Sequence, residues 1–338
     1  MILLLGNPKL KDFDVKDAKA VLLRPWARGI GDSIVSTGAI RELKKKYPHI
    51  KIYVIQRNRS RCVYAGNPHI EKVLPATLYH YLKLRNKVDV YVDCKHSVNI
   101  SNLFACRLLN PKKIIGAPRT HRWGLKDADF SYYKNFPQDN KFDGCSHDKV
   151  LSCFPGFDLA PKKRKYDLYP SQKDIKTAES YWKKDKKRVI LNIYGSNRVL
   201  DKQKIISVMN HIQKDFPDLD IVIPFDAKTK KGVSALCSPG GILNARLSYK
   251  TTLRQLFALV QSSGAVISVD TGIVHVASAF DKNTVCFIEE KMLEWWTPIS
   301  TSYSSVICNV AETKNGKKQY SFDAAAAEEA IRKQLGGL

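Results

Sequence analysis

The sequence has no paired-cysteine motif. Its eight cysteines, at 62, 94, 106, 145, 153, 237, 286 and 308, include no C-x-x-C pair. Several lie in apolar runs such as Val92-Asp93-Cys94 and Val285-Cys286-Phe287, where cysteine serves as a small core hydrophobe. A reduced chain is expected, without a disulfide framework and without a zinc site. Long apolar runs are missing too: nothing approaches the roughly 18 residues of a membrane span. Met1-Ile-Leu-Leu-Leu5 lacks the basic lead, length and cleavage site of a secretory signal. The expectation is a cytoplasmic chain, soluble or at most peripheral on a membrane. Low complexity is absent as well. A hydrophobic fraction of 44 % with 26 % charged residues is an ordinary globular mix, which excludes a disordered chain.

Acidic residues are scarce relative to basic ones, 32 Asp+Glu against 56 Lys+Arg, for a formal net charge of +24 over 338 residues. The excess is uneven. Residues 1–165 hold 32 basic and 14 acidic side chains, and residues 166–338 hold 24 and 18. Such asymmetry points the first half at something anionic: nucleic acid, an acidic membrane surface or a phosphorylated substrate.

What is present is an alternation of strand-like and helical patterns, which implies βαβ units and a mostly parallel sheet. The first series runs through a strand at 21–24, a helix at 33–47 ended by Pro48, strands at 50–55 and 89–92, a helix at 98–109 and a strand at 113–115. Periodicity fades from about 117 to 170, and the domain junction is placed near 165–186. A second series has strands at 188–193, 220–223, 265–269 and 284–288, with helices at 202–216, 252–262 and 272–280. Residues 323–334, stopped by Gly336-Gly337, read as a final helix. The predicted organisation is a Rossmann-like domain over 1–170, a second over 186–320, and a C-terminal helix over 321–338. Open α/β sheets bind ligands beyond the carboxyl ends of their strands.

Three constellations stand at such ends. Arg28-Gly-Ile-Gly31-Asp32-Ser33 follows the first strand and opens the first long helix. Its glycines allow close backbone approach, its helix start suits an anion, and Asp32 is either a general base or simply the cap of a helix starting at Ser33. Ser268-Val-Asp270-Thr271-Gly272-Ile-Val-His275 repeats the arrangement in the second series, with helix amides suited to a diphosphate. There too Asp270 could be only a cap and His275 an ordinary core histidine. Asn192-Ile-Tyr-Gly195-Ser196-Asn-Arg198, continuing to Lys202, sets two cations near the same place, unless it is a solvated loop.

Together these resemble the bacterial heptosyltransferases, glycosyltransferase family 9, over roughly residues 20–300. Gly31-Asp32-Ser33 with Leu43-Lys44 and Tyr47-Pro48 looks like the family's N-terminal signature. Gly195-Ser196 with Lys202 looks like its phosphate loop. Leu253 to Leu259, Val269-Asp270-Thr271-Gly272, His275 and Trp296-Thr297-Pro298 look like its C-terminal signature. The resemblance implies a GT-B fold, two Rossmann-like domains facing across a cleft, with the acceptor held by the N-terminal domain and the nucleotide-sugar by the C-terminal one. It also implies inverting transfer of a heptose from ADP-heptose to the lipopolysaccharide inner core, with no obligatory metal. Asp32 would be the general base. Gly195, Ser196, Arg198, Lys202, Asp270, Thr271, Gly272 and His275 would bind the donor. Departures fall on the donor side: Ile193-Tyr194 stands where His-Pro is common, Lys202-Gln-Lys204 where Lys-x-Trp is common, and Ile288-Glu-Glu290 where a Gly-Pro turn is common. Ser36-Thr-Gly-Ala39 also lacks the first helix's usual proline. Another nucleotide-sugar is therefore the alternative donor.

The basic first half supplies candidates for an anionic acceptor of the Kdo–lipid A type. Arg57, Arg59 and Arg61 would share one side of an extended segment. Lys95 and His96 follow a strand, and Arg119, His121 and Arg122 form a basic cluster beside Trp123. With the nucleotide signatures in the less basic half, acceptor and anionic membrane surface become one target on the cytoplasmic face of the inner membrane. A nucleic-acid-binding protein is the alternative from another class, disfavoured because no nucleic-acid motif appears. An epimerase acting on donor alone is a third reading.

Overall fold

Parallel strands are buried on both faces and so read as nearly continuous apolar runs. In the computed structural model, the runs Ala20–Arg24, Val90–Asp93, Leu219–Ile223 and Ala265–Val269 are strands whose residues are all buried. The structure describes residues 13–25, 29–56, 58–94, 100–116, 150–151, 154, 156–159, 164–313 and 316–338. The chain divides into two compact units, Met1–Tyr169 and Pro170–Leu338.

The first unit contains β1 (Ala20–Arg24), β2 (Lys51–Gln56), β3 (Lys72–Pro75), β4 (Val90–Asp93) and β5 (Lys113–Gly116), joined through α1 (Ile30–Lys46), α2 (Leu78–Lys83) and α3 (Ile100–Leu109). Its sheet is wholly parallel, in the order β3-β2-β1-β4-β5. The order reverses between β1 and β4, so a crevice opens beyond their carboxyl ends. α1 follows β1 there. It buries Ile34, Val35, Ala39, Ile40 and Leu43 and is anchored by polar contacts on the same buried side. Thr37 Oγ1 accepts the amide of Asp167 at 2.8 Å. Arg41 Nη1 donates to Asp167 Oδ2 at 2.6 Å, both side chains being over 90 % buried, and its Nη2 donates to the Lys165 carbonyl at 3.2 Å.

The described residues of the second unit form eight strands: β6 (Lys187–Asn192), β7 (Arg198–Leu200), β8 (Leu219–Ile223), β9 (Ala245–Leu247), β10 (Ala265–Val269), β11 (Asn283–Ile288), β12 (Tyr303–Glu312) and β13 (Lys318–Phe322). Their order is β7-β13-β12-β11-β10-β6-β8-β9. Neighbouring strands pair parallel except β12 with β13, which pair antiparallel, and Tyr194 makes an isolated antiparallel bridge to Val199 of β7. This sheet reverses between β6 and β10, giving a second crevice beside Asn192 and Asp270. The helix Ala324–Leu335 contributes Ala327, Ile331 and Leu335 to the same core as Ile205, Met209 and Ile212 of the helix Lys202–Asp215. Capping boxes, Ser171 with Asp174 and Thr252 with Gln255, start the helices Gln172–Tyr181 and Leu253–Gln261.

The long elements read from periodicity are present, and four local expectations change. α1 begins at Ile30, so Asp32 lies inside its first turn rather than at its cap. The presumed junction holds the helix Gln172–Tyr181, whose start is set by a cap rather than by an apolar stripe. Arg61 sits in a 3-10 segment, Asn58–Tyr64. Successive residues there turn by about 120°, so positions two apart do not share a side as they would in a strand. The edge strands β3, β7, β9 and the β12–β13 hairpin were not expected, being short or mixed in polarity.

The Arg41–Asp167 pair ties α1 to the segment at the end of its unit. Removing one partner of a buried pair leaves an uncompensated charge, so Asp167→Ala is expected to destabilise the chain by about 3–5 kcal/mol in urea unfolding. Arg41→Met/Asp167→Leu should recover most of that loss. Equal loss in the double variant would show that the pair is not the source.

Candidate active site

In the first unit the site is built on the start of α1. Gly29 is the N-cap, and no side chain caps the helix from that position. Asp32 reaches back instead, and its carboxylate accepts the amides of Gly29 and of Asp32 itself. A Cβ at residue 29 would overlap Asp32 Oδ2, so glycine is required for the carboxylate to lie over the helix start. Burial raises the Asp32 carboxyl above the ordinary carboxylate range, and the two amides offset only part of that. Among the described residues no cation pairs with it. A carboxylate that is dehydrated and without a cation is a good proton acceptor. Of the two sequence readings, the structure shows the local one: the Asp32 carboxylate satisfies helix-start amides from within the first turn.

Behind it lies a buried polar chain. Ser33 Oγ donates to the Gly29 carbonyl at 2.9 Å and receives Gln56 Nε2 at 3.3 Å. Ser36 Oγ donates to the Ser33 carbonyl at 2.7 Å and lies 2.8 Å from the Tyr64 hydroxyl. Tyr64 is fully buried, and burial pushes its phenol well above the ordinary range, with the Asp32 charge adding to the shift. These groups hold the first turn of α1 in one geometry.

The second unit's site forms where β6 and β10 end. Asn192 Nδ2 lies 3.0 Å from the Tyr194 carbonyl, 3.0 Å from Ser268 Oγ and 3.3 Å from Thr271 Oγ1, tying the two strand ends together. The loop after β6 closes tightly: Gly195 N–H donates to the Arg198 carbonyl at 2.8 Å. A Cβ at 195 would meet Thr271 Cγ2 and Arg198 Cβ, so only glycine lets this loop lie against the start of the next helix. Ser196 beside it is exposed. Arg198, carried by β7, donates from Nη1 to the Asp270 carbonyl at 2.5 Å and to Asp270 Oδ2 at 2.6 Å. Burial raises the Asp270 carboxyl, and Arg198 pulls it back. This guanidinium is engaged with Asp270, which makes Arg198 a positioning group for that carboxylate.

The helix Gly272–Ala279 begins at Thr271, which makes no side-chain cap bond. Asp270 therefore turns to Arg198 rather than capping, and the first-turn amides have no side-chain acceptor at the cap. His275 is buried in that helix, its ring edge-on to Trp296 at a centroid separation of 5.5 Å. Burial pushes its imidazole down to about 4, so it is neutral near pH 7. Lys202, first residue of the helix Lys202–Asp215, holds its ammonium 5.7 Å from the Tyr194 ring centroid, and Lys317 lies at 5.8 Å from the same ring. A Cβ at Gly232 would overlap the Tyr194 hydroxyl, so the ring is held from that side as well.

The structure thus brings Asn192, Gly195, Arg198, Asp270 and Thr271 together directly, with Gly272 next in chain and Lys202 joined through Tyr194. Asn192 and Tyr194 were named from the sequence only as part of the Gly195 loop, without a role of their own, and Lys317 was not singled out. A polar residue ending an apolar strand was the available signal for Asn192, whereas Lys317 arrives through a distant hairpin. Of the acceptor candidates, Arg61 is exposed. Arg57, Lys95, His96, Arg119, His121 and Arg122, and the side chain of Arg59, lie outside the described residues. Among the described residues no group of three or more His, Cys, Asp or Glu is placed to hold a metal ion, and no helix is long and apolar enough to cross a membrane. Among the described cysteines, Cys237, Cys286 and Cys308 of the second unit are free thiols.

Comparison with known proteins gives a consistent result. The family model of glycosyltransferase family 9 (heptosyltransferase) matches residues 221–326. A glycosyl transferase family 9 structure from Veillonella parvula superimposes with a TM-score of 0.76 at 12 % identity, covering 97 % of this chain and 99 % of that one. E. coli ADP-heptose lps heptosyltransferase II gives 0.71 at 14 % identity, covering 94 % and 99 %. E. coli heptosyltransferase WaaC with ADP gives 0.63 at 13 % identity, covering 94 % and 99 %. No curated protein matches the sequence. The two-unit α/β fold is of GT-B type.

The state of His275 has a measurable consequence. Unfolded, the imidazole protonates near its ordinary value of 6.5, and folded it resists protonation down to about 4. Its contribution to stability is complete above pH 6.5 and is lost as pH falls toward 4, by about 3 kcal/mol. Urea unfolding between pH 7.5 and 4.5 is expected to show a shallower pH dependence in His275→Phe than in the parent. Identical slopes would mean that His275 protonates in the folded chain at its ordinary value.

Proposed function

We propose that this chain, a glycosyltransferase of family 9 by the domain it carries over residues 221–326, is an inverting transferase that moves a heptose from ADP-heptose to the lipopolysaccharide inner core. The observation that carries the reading is the family segment itself. It contains Asp270, Thr271, Gly272 and His275 at the point where the second sheet reverses, where α/β sheets bind nucleotides.

In this reading the C-terminal unit binds the donor and the N-terminal unit the acceptor. The diphosphate lies against the uncapped start of the helix Gly272–Ala279, with the Gly195–Ser196 backbone close by. Lys202 supplies the compact positive charge that offsets charge developing on the leaving diphosphate, so no metal is obligatory for that step. Arg198 holds Asp270 with one carboxylate oxygen able to accept from a sugar hydroxyl. Neutral His275 shapes the site without adding charge. Asp32 removes the proton from the acceptor hydroxyl as that oxygen bonds to the anomeric carbon. The bond from the anomeric carbon to the diphosphate breaks on the opposite face, and the configuration inverts. The basic groups of the N-terminal half, Arg57, Arg59, Arg61, Lys95, His96, Arg119, His121 and Arg122, would meet the phosphates and carboxylates of a Kdo–lipid A type acceptor. The protein would then work peripherally at the cytoplasmic face of the inner membrane. Tyr194, standing in the donor loop where the family commonly has His-Pro, supports a second reading in which another nucleotide-sugar is the donor.

Mass-spectrometric transfer assays with defined core acceptors and a panel of nucleotide-sugars test the assignment. ADP-heptose is expected to give an acceptor-dependent mass increment of one heptose. No transfer from any donor would contradict the reading. Asp32→Asn should lower turnover by about 10²–10⁴-fold with donor binding intact, and parental turnover would reduce Asp32 to a helix-start residue. Lys202→Ala should raise the donor KM and slow transfer, and unchanged kinetics would remove it from the site.

A further inference from the structure

Among the described residues seven large hydrophobic side chains are exposed, and three of them fall on one short helix: Leu78, Tyr79 and Leu82 of α2, at 49 %, 64 % and 38 % exposure. The helix does have a core side. Tyr81 and Leu84 pack with Ala105, Cys106 and Leu109. At about 100° per residue, Leu78, Leu82, Tyr79 and Lys83 then occupy one outward arc of about 140°. This inverts the usual arrangement, in which the outward arc of a surface helix is polar. The arc is stiff. Thr77 Oγ1 lies 2.7 Å from His80 Nδ1 at the helix start. Arg85 Nη1 donates to the carbonyls of Arg107 and Leu108 at 2.6 and 3.0 Å just past its end.

The stretch of chain around it is basic, with Glu71 and Asp89 just beyond its two ends. From Lys72 to Val88 the chain carries Lys72, Lys83, Arg85 and Lys87, and no Asp or Glu. The Lys83 ammonium lies 5.7 Å from the Tyr79 ring centroid, so charge and apolar surface are interleaved. Position in the fold matters equally. α2 starts three residues after β3 ends, which puts its first turn at the carboxyl edge of the sheet. The first turn of α1, with Asp32, begins at that same edge. β3 and β1 are separated only by β2, about 10 Å across.

We infer that the outward face of α2 is the surface by which this unit docks on an anionic lipid bilayer, with Leu78, Tyr79 and Leu82 entering the interface and Lys83 and Lys87 meeting headgroup phosphates. Tyrosine belongs at the boundary between headgroups and acyl chains, and lysine lays its stem along apolar surface while its ammonium stays in the polar layer. An excess of basic residues without acids suits an anionic leaflet. A protein partner for the same arc would have to be acidic around an apolar centre, which no second copy of this basic segment offers. The inference rests on the proposed function for one point only, that the acceptor is itself a membrane glycolipid. A bilayer seated on α2 would then present that acceptor at the edge carrying Asp32.

The test is co-sedimentation of the full chain with phosphatidylcholine vesicles containing about one third phosphatidylglycerol. The parent is expected to bind. Leu78→Ser/Tyr79→Ser/Leu82→Ser, measured at a temperature where its far-UV circular dichroism matches the parent's, should lower the partition coefficient by about ten-fold or more. Lys83→Gln/Lys87→Gln should lower it by about five-fold per charge on these vesicles and have no effect on pure phosphatidylcholine. In transfer assays the triple variant should lose activity toward an acylated acceptor embedded in vesicles and keep it toward the same acceptor stripped of acyl chains. A parent that fails to bind, or a triple variant that binds as the parent does, overturns the proposal. So does a parent that sediments as a dimer and a triple variant that is monomeric with unchanged vesicle binding. Failure of transfer from every donor would strike the proposed function and leave the vesicle result to stand or fall separately.

Discussion

Each unit depends on the same arrangement: where the parallel sheet reverses its strand order, a carboxylate partly removed from water stands beside the start of a helix. In the first unit that carboxylate is Asp32 and in the second it is Asp270, and burial raises both. The two are stabilised differently. Asp270 is held by the Arg198 guanidinium, so its charge is neutralised and its orientation set. Asp32 is held by two backbone amides, which orient it without supplying a full positive charge. One architecture therefore holds one carboxylate by a guanidinium and the other by backbone amides, which in the proposed function makes Asp32 the general base. Different partners for similar groups are how a protein assigns separate acid–base roles.

Glycine has a defined part at both points. At Gly29 any side chain would displace the Asp32 carboxylate, and at Gly195 any side chain would push the loop off Thr271. The polar atoms behind Asp32, from Ser33 through Ser36 to Tyr64, are mutually hydrogen-bonded, and α1 is pinned farther along by Asp167. A carboxylate meant to accept a proton works only if its direction is held. The packing beneath α1 does that.

Much of this was legible in the sequence because it is local. Apolar runs of five or six residues mark the buried parallel strands, and a glycine–acid pair directly after a strand marks the start of a ligand-facing helix. What was not legible depends on contacts distant in sequence. That Arg198 is also tied to Asp270 through Nη1 shows only once β7 is seen beside β13. Lys317 reaches Tyr194 only because the hairpin of β12 and β13 returns to that loop. The capping box of Ser171 and Asp174 fixes the start of the helix Gln172–Tyr181, whose apolar side is narrow. α2 escaped notice for the opposite reason: six residues long, it turns apolar side chains outward, against the periodicity on which helix reading relies.

The charge asymmetry takes on a more specific meaning from the structure. The basic excess of the first half includes a run around α2 in which lysines flank exposed Leu78, Tyr79 and Leu82, at the sheet edge that also carries Asp32. Charge of one sign beside an apolar arc suits an anionic amphiphile better than a nucleic acid, whose binding would call for stacking or groove-reading elements.

The central claim is that Asp32 is a basic, dehydrated carboxylate that accepts the acceptor's proton. It is tested most directly by titrating the Asp32 carboxyl carbon by NMR and measuring the acid limb of kcat/KM on the same protein. The account predicts that the two transitions coincide, both above the ordinary carboxylate range, because a base must be ionised to act and burial raises the pH at which it ionises. An Asp32 transition at or below that range, or an acid limb that stays in place when Asp32 is changed to Glu, would contradict it.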